Sequence, residues 1–175
     1  NSWGSCLGAK YPQSEICGDG IDQDCNGSDK TQPDQYEPNN SCSKCYWIDG
    51  DDPVITLHPT FDTLGGSLGG SDTDDYFCFK GVDNWNVWPT SESIQIELKN
   101  QPAGVDGDLF LYKGYSDCNA GTHVAASITV GGANESIDWP ETGEEDDATY
   151  YVRVENWSEK ASCSQSYTLD IQGLK

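Results

Sequence analysis

Ile94, Ile96 and Leu98 alternate with Ser93, Gln95, Glu97 and Lys99, and the same two-residue period returns at Leu109 and Leu111, at Tyr150, Val152 and Val154, and at Tyr167, Leu169 and Ile171. Phe77 and Phe79 form a further inward pair, and Val124 to Val130 is a looser candidate. A period of two sends alternate side chains to opposite faces, so each stretch reads as a strand with one buried face. Clusters of Gly, Pro, Asn and Asp at Gly65–Asp75, Pro102–Asp108, Gly131–Asn134 and Thr142–Asp147 separate them as turns. No segment carries a sustained helical stripe and no internal repeat is convincing. Seven or eight short strands with turns between them predict an all-β chain folded as an antiparallel β-sandwich. Residues 1–35, rich in Gly, Asp, Ser and Cys, have neither period. They read as a loop-rich, disulfide-pinned segment ahead of a sandwich over 36–175.

Charge narrows what such a sandwich can meet. Thirty acidic residues stand against nine basic ones, a formal net charge of −21, and Arg153 is the sole arginine. Phosphate recognition rests on clustered Lys and Arg, so nucleic acid is excluded as a partner, and an anionic membrane would repel the chain. No apolar run reaches the ~20 residues that span a bilayer, so no membrane insertion is expected. The chain begins at Asn1 and has neither methionine nor a signal-like apolar segment, and it is read as a mature or excised fragment. Low hydropathy with high charge also marks disorder, but six Trp, nine Tyr and four Phe argue for a core. A folded chain this acidic calls for cations.

Eight cysteines, at 6, 17, 25, 42, 45, 78, 118 and 163, are even in number and spread along the chain. A zinc site would need a second close pair or spaced histidines beside Cys42-Ser-Lys-Cys45, and His58 and His123 stand alone. Tyr46 after Cys45 rules out haem attachment. Disulfides are therefore expected, in an oxidising compartment: secreted, periplasmic or cell-surface. Of the 105 possible pairings, Cys17–Cys25 is expected first, because it closes a metal loop, and Cys118–Cys163 second.

That metal loop is the sharpest local signal. Asp22-x-Asp24-x-Asn26-Gly27 places oxygen ligands at alternate positions before a glycine, the first half of a calcium loop. Pro33 stands where an EF-hand has its bidentate Glu, so Asp29 or Asp34 would have to close the shell. The alternative is an acidic solvated loop pinned by its disulfide. Glu15, Cys17, Gly20, Asp22, Asp24, Cys25, Asn26 and Gly27 together resemble the short Cys/Asp-rich metal-binding motif of secreted bacterial proteins. Copper, associated with one branch of that family, would want imidazole or thioether ligands that this segment lacks.

Further motifs run in order from Tyr36 to Leu174: Glu37-Pro-Asn-Asn-Ser41, Ser71-Asp-Thr-Asp-Asp-Tyr-Phe-Cys-Phe79, Asp106-Gly-Asp-Leu-Phe-Leu-Tyr112, Tyr150-Tyr-Val-Arg-Val154 and Tyr167-Thr-Leu-Asp-Ile171. In this order they resemble the bacterial pre-peptidase C-terminal domain family. The resemblance implies a jelly-roll-like sandwich, secreted and non-catalytic, with calcium where the E-P-N-N segment meets the D-x-D loop. Carried over by position, the ligands are Glu37, Asn39, Asp72 and Asp74, with the extra Asp75 leaving the register open by one residue. Ala148 replaces the family's glycine two positions before Tyr150, and residues 42–58 run longer than usual.

Catalytic signals are poor. Gly65-Gly-Ser-Leu-Gly69 matches G-x-S-x-G, but an acidic loop and another strand follow where a nucleophile elbow needs a helix. The chain is not expected to be an enzyme. Trp85 and Trp88, in a polar loop between two strands, are candidates for a sugar-stacking platform; one of them capping the core is the competing reading. The expected function is a secreted or cell-surface calcium-binding module that attaches a larger bacterial enzyme or surface protein to an insoluble substrate, with polysaccharide first. A structural or adhesive domain of a surface protein or filament, and a collagen- or protein-binding module, are the rivals.

Overall fold

Among the described residues nine strands form, wherever alternation is clearest and also at three places where it is weak. A computed structural model describes residues 12–13, 21–27, 34–49, 54–61, 74–81, 92–141, 148–157 and 165–172. The strands are β1 (Tyr46–Trp47), β2 (Val54–Leu57), β3 (Asp75–Lys80), β4 (Glu92–Lys99), β5 (Gly107–Lys113), β6 (Ala125–Ser127), β7 (Glu135–Glu141), β8 (Thr149–Asn156) and β9 (Thr168–Gln172). A 3-10 turn (Cys42–Lys44) and one short helix, α1 (Tyr115–Ala120), complete the described elements. The loose candidate at 124–130 supplies only the three-residue β6, and Ile128 and Val130 beyond it are exposed.

Two sheets pack face to face, in the orders β1-β3-β8-β5-β6 and β2-β9-β4-β7. Among the described strands every pairing is antiparallel except that of β1 with β3. Without β1, the orders 3-8-5-6 and 2-9-4-7 are those of a jelly roll, in which most connections cross from one sheet to the other. The crossing follows from the alternation: each strand has one apolar face, and both sheets must turn theirs to the same interior. Phe77, Phe79, Leu109, Leu111, Tyr150, Val152 and Val154 from one sheet meet Leu57, Ile94, Ile96, Leu98, Ile137, Leu169 and Ile171 from the other. Burying each such side chain contributes about 1.5–3 kcal/mol before chain entropy is counted. At the edge, the buried Glu135 of β7 reaches across to the Ser127 hydroxyl of β6 and accepts the Thr129 N–H at 2.9 Å, which ties the two sheets together.

The first sheet also buries part of its outward face. Cys78, Tyr112 and Tyr151 occupy positions that alternation assigns to solvent, yet with Cys42 and Cys118 they form a second, smaller core. The 3-10 turn and α1 cover it, and two disulfides, Cys42–Cys118 and Cys45–Cys78, staple the cover down. This corrects the Cys118–Cys163 expectation. Helix α1 lies on the outer face, which sets Cys118 6.0 Å from Cys42 between Cα atoms, and a sulfur forms one such bond. It also removes zinc from the Cys42/Cys45 pair. Cys25 is disulfide-bonded, while Cys17 and Cys163 lie outside the described residues. Among the described residues no cysteine is free and no helix is long and apolar enough to cross a membrane. The disulfides are compatible with an extracellular location.

Candidate metal centre

At the start of β3 the chain brings together part of the ligand set expected from the E-P-N-N and D-x-D segments. Asn39 is 1% exposed and Asp75 is buried beside it. The Asn39 N–H donates to Glu37 Oε2 at 3.0 Å, and the Tyr76 N–H donates to the Asn39 carbonyl at 2.7 Å, which seats the turn on β3. The end of the Asn39 side chain lies between two carboxylates. Its Nδ2 donates to Glu37 Oε1 at 2.8 Å and to Asp75 Oδ1 at 3.2 Å. The other oxygen of Asp75 accepts the Tyr167 hydroxyl at 2.5 Å. Burial, and then the Asp75 charge, push the Tyr167 phenol well above its ordinary pKa, so it remains a donor at any physiological pH. Asp34 is fixed to the sandwich as well, accepting the Thr60 N–H at 2.6 Å and the Tyr36 N–H at 2.8 Å. Asp34 and Glu37 both add negative potential at Tyr167. Next in the chain, the Asn40 amide is buried with neither polar atom hydrogen-bonded, an orphaned group of the kind that a ligand or water ordinarily explains.

Two carboxylates and an amide, all hard oxygen donors, suit calcium better than a transition metal. Among the described residues no group of three or more His, Cys, Asp or Glu is placed to hold a metal, so any site here depends on the amide and on groups beyond that set. Asp72 lies outside the described residues.

Asp74, also among the expected ligands, is held by Arg153. Side chains alternate along a strand, so Asp75 points to the Asn39 side while Asp74, just before it, is taken by Arg153. Arg153 Nε and Nη2 both donate to Asp74 Oδ2, at 3.0 and 2.7 Å, and Nη2 also meets Glu155 at 2.8 Å. The guanidinium lies over the rings of Tyr76 and Phe110, 5.9 and 5.6 Å from their centroids. Burial opposes its charge, but the Asp74 carboxylate together with Tyr76 and Tyr112 more than offsets this and Arg153 stays protonated. The sole arginine is thus a structural clamp on the outer face.

In the N-terminal loop Asp22, Asp24 and Asn26 share one turn. Asp22 accepts the N–H groups of Asn26 (3.0 Å) and Gly27 (2.8 Å), and Asp24 accepts the Asn26 N–H (2.9 Å) and its Nδ2 (2.8 Å). These bonds curl the loop, with Cys25 and Gly27 at positive φ, and aim the carboxylates at its own backbone. Asp29 lies outside the described residues, as do Trp85 and Trp88.

Three features escape sequence reading. Tyr167 joins the centre through a contact with Asp75 across 92 residues, and Asp34 is tied to Thr60 across 26, neither of which a spacing rule reveals. A second acidic group gathers Asp106, Asp108 and Glu155, with Glu135 near; burial first, then these neighbours, push Asp108 up to about 6. Asp106 in turn accepts the N–H groups of Gly131 (3.0 Å) and Gly132 (2.9 Å). Finally, Trp157 and Trp47 are 70% and 47% exposed, while Trp139 is partly buried against the core. No protein-family model matches the chain, and no curated protein matches it.

Proposed function

We propose that this chain is a non-catalytic, calcium-stabilised extracellular module that holds a larger secreted or surface protein on an insoluble polysaccharide. The observation that carries the calcium reading is the buried Asn39 side chain, whose end lies between the Glu37 and Asp75 carboxylates. When bound, calcium supplies charge neutralisation at a point where a chain of charge −21 otherwise repels itself. Glu37, Asn39 and Asp75 would hold it, with Tyr167 fixing the orientation of Asp75. Extracellular sites commonly have Kd values of about 10⁻⁴–10⁻³ M. At about 100 times Kd, linkage stabilises the fold by about 2.7 kcal/mol, roughly 5–10 °C in Tm for a domain of this size. A Tm that responds neither to calcium nor to EDTA overturns this part.

The polysaccharide reading draws on exposed indoles, which can stack on the C–H faces of sugar rings without help from basic residues. Trp47 and Trp157 join Trp85 and Trp88 as candidates. Pulldown on cellulose, chitin and xylan, with each tryptophan changed to alanine, tests it. Binding that survives all four changes, or no binding to any polymer, removes the polysaccharide and leaves the calcium reading to its own test.

A further inference from the structure

The three most exposed large apolar side chains among the described residues, Val130 (91%), Trp157 (70%) and Ile128 (65%), gather at one end of the first sheet around Asp106. The Trp157 N–H donates to the Asp106 carbonyl at 2.8 Å. The Asp106 carboxylate accepts the N–H groups of Gly131 and Gly132, the residues that follow Val130. Ile128 comes directly after Ser127, the last residue of β6, which pairs with Leu109 of β5. The loop that carries Ile128 and Val130 is held elsewhere too. The Thr129 N–H donates to Glu135 at 2.9 Å, Gln101 Nε2 donates to the Ala133 carbonyl at 2.7 Å, and any side chain at Gly132 would strike the Val105 carbonyl oxygen. A loose loop could turn its apolar groups from water; here the main chain is pinned so that they face it. Apolar surface displayed on a fixed frame marks an interaction site, and little of it has to be ordered on binding.

Charge decides which partner fits. Glu155 stands across from Asp108 in the strand register, and two residues further along each chain come Trp157 and Asp106, so by alternation all four share the outer face. None of the ion pairs of the described residues gives Asp106 or Asp108 a cation, and Arg153 is taken by Asp74 and Glu155. Carboxylates held together without a counter-charge attract an ammonium or guanidinium, which the indole face of Trp157 also favours. A second copy of this chain would bring −21 against −21. Val130 and Ile128 offer a sugar ring neither a flat face nor a hydrogen bond, whereas they suit an apolar side chain of a peptide. We infer that this end of the sandwich docks a cationic segment of another protein. An apolar side chain of that segment covers Val130 and Ile128, while a lysine or arginine lies between Trp157 and the Asp106, Asp108 and Glu155 carboxylates.

The test uses the full, ¹⁵N-labelled chain with a synthetic peptide of alternating lysine and leucine as probe and its glutamate-leucine counterpart for comparison. The Trp157 indole and the Gly131 and Gly132 amides should shift saturably with the first peptide and stay still with the second. Trp157→Ala should weaken binding about tenfold and Val130→Ser about threefold. Both side chains are exposed, so both variants should keep the wild-type Tm. Val54→Ser, at an exposed apolar position on the other sheet, should change binding less than about twofold. Binding should also weaken as pH falls through 6, where Asp108, faced by Asp106, Glu135 and Glu155, takes up its proton. Trp157→Ala within about twofold of wild type overturns the proposal and leaves general charge attraction. Equal binding of the two peptides overturns it as well. Concentration-dependent dimers that Trp157→Ala abolishes give the patch to a second copy instead. Retention on cellulose, chitin or xylan that needs Trp157, with no response to either peptide, gives it to a glycan.

Discussion

Replacing Asp108 by Asn should stabilise this protein at neutral pH, against the usual rule that losing a native charge costs stability. Asp108 lies on the outward face of β5, directly across from Glu155 of β8 in the strand register and two residues from Asp106. Burial and the Asp106, Glu135 and Glu155 charges raise it from 3.8 to about 6. The folded state therefore holds this proton more tightly than the unfolded chain does. Below about pH 4 both states are protonated and the site is neutral to stability; as pH rises through 6 the folded state loses its proton and carries a penalty that persists above. The full rise corresponds to about 3 kcal/mol. The carboxylate is only partly buried, and screening reduces the usable figure to about 1–2 kcal/mol. Urea denaturation of wild type and Asp108→Asn, at pH 4 and pH 8 with calcium held constant, reads this directly. The variant should be more stable by that margin at pH 8, and the gap should close at pH 4. A variant no more stable than wild type at pH 8, or a gap independent of pH, refutes the repulsion argument.

Other outcomes follow from the outer face of the same sheet. Non-reducing peptide mapping should recover Cys42–Cys118 and Cys45–Cys78. The double change Cys42→Ser, Cys118→Ser opens a span of 76 residues and should cost about 4 kcal/mol by chain entropy, seen as a lower urea midpoint. Arg153→Met strands Asp74 and Glu155 beside Asp108 and should cost about 2–3 kcal/mol, changing little with salt because the guanidinium is mostly enclosed; a loss under ~0.5 kcal/mol would show that the clamp is idle.

The sandwich was legible in the chain because it depends on a local property. Alternation at 94–98, 109–111, 150–154 and 167–171 names the inward face of β4, β5, β8 and β9, and nothing tertiary overrides it. Weaker strands were not legible. β7 carries a proline and three acidic residues among its seven, and β2 has four residues; each exists because a neighbouring edge needs a partner for its backbone groups. The oxygen-rich segments of the candidate centre were visible as spacing, yet spacing could not tell Asp74 from Asp75. That choice belongs to the pleat: one residue of register sends one carboxylate to Asn39 and the other to Arg153. The disulfide partners and the second core lay further out of reach. Whether an outward Cys78, Tyr112 or Tyr151 meets water or a covering helix is decided by what the crossing connections bring over the sheet, across separations of 33 and 76 residues. Sequence periodicity fixes which way a side chain points; only the folded connections supply what it points at.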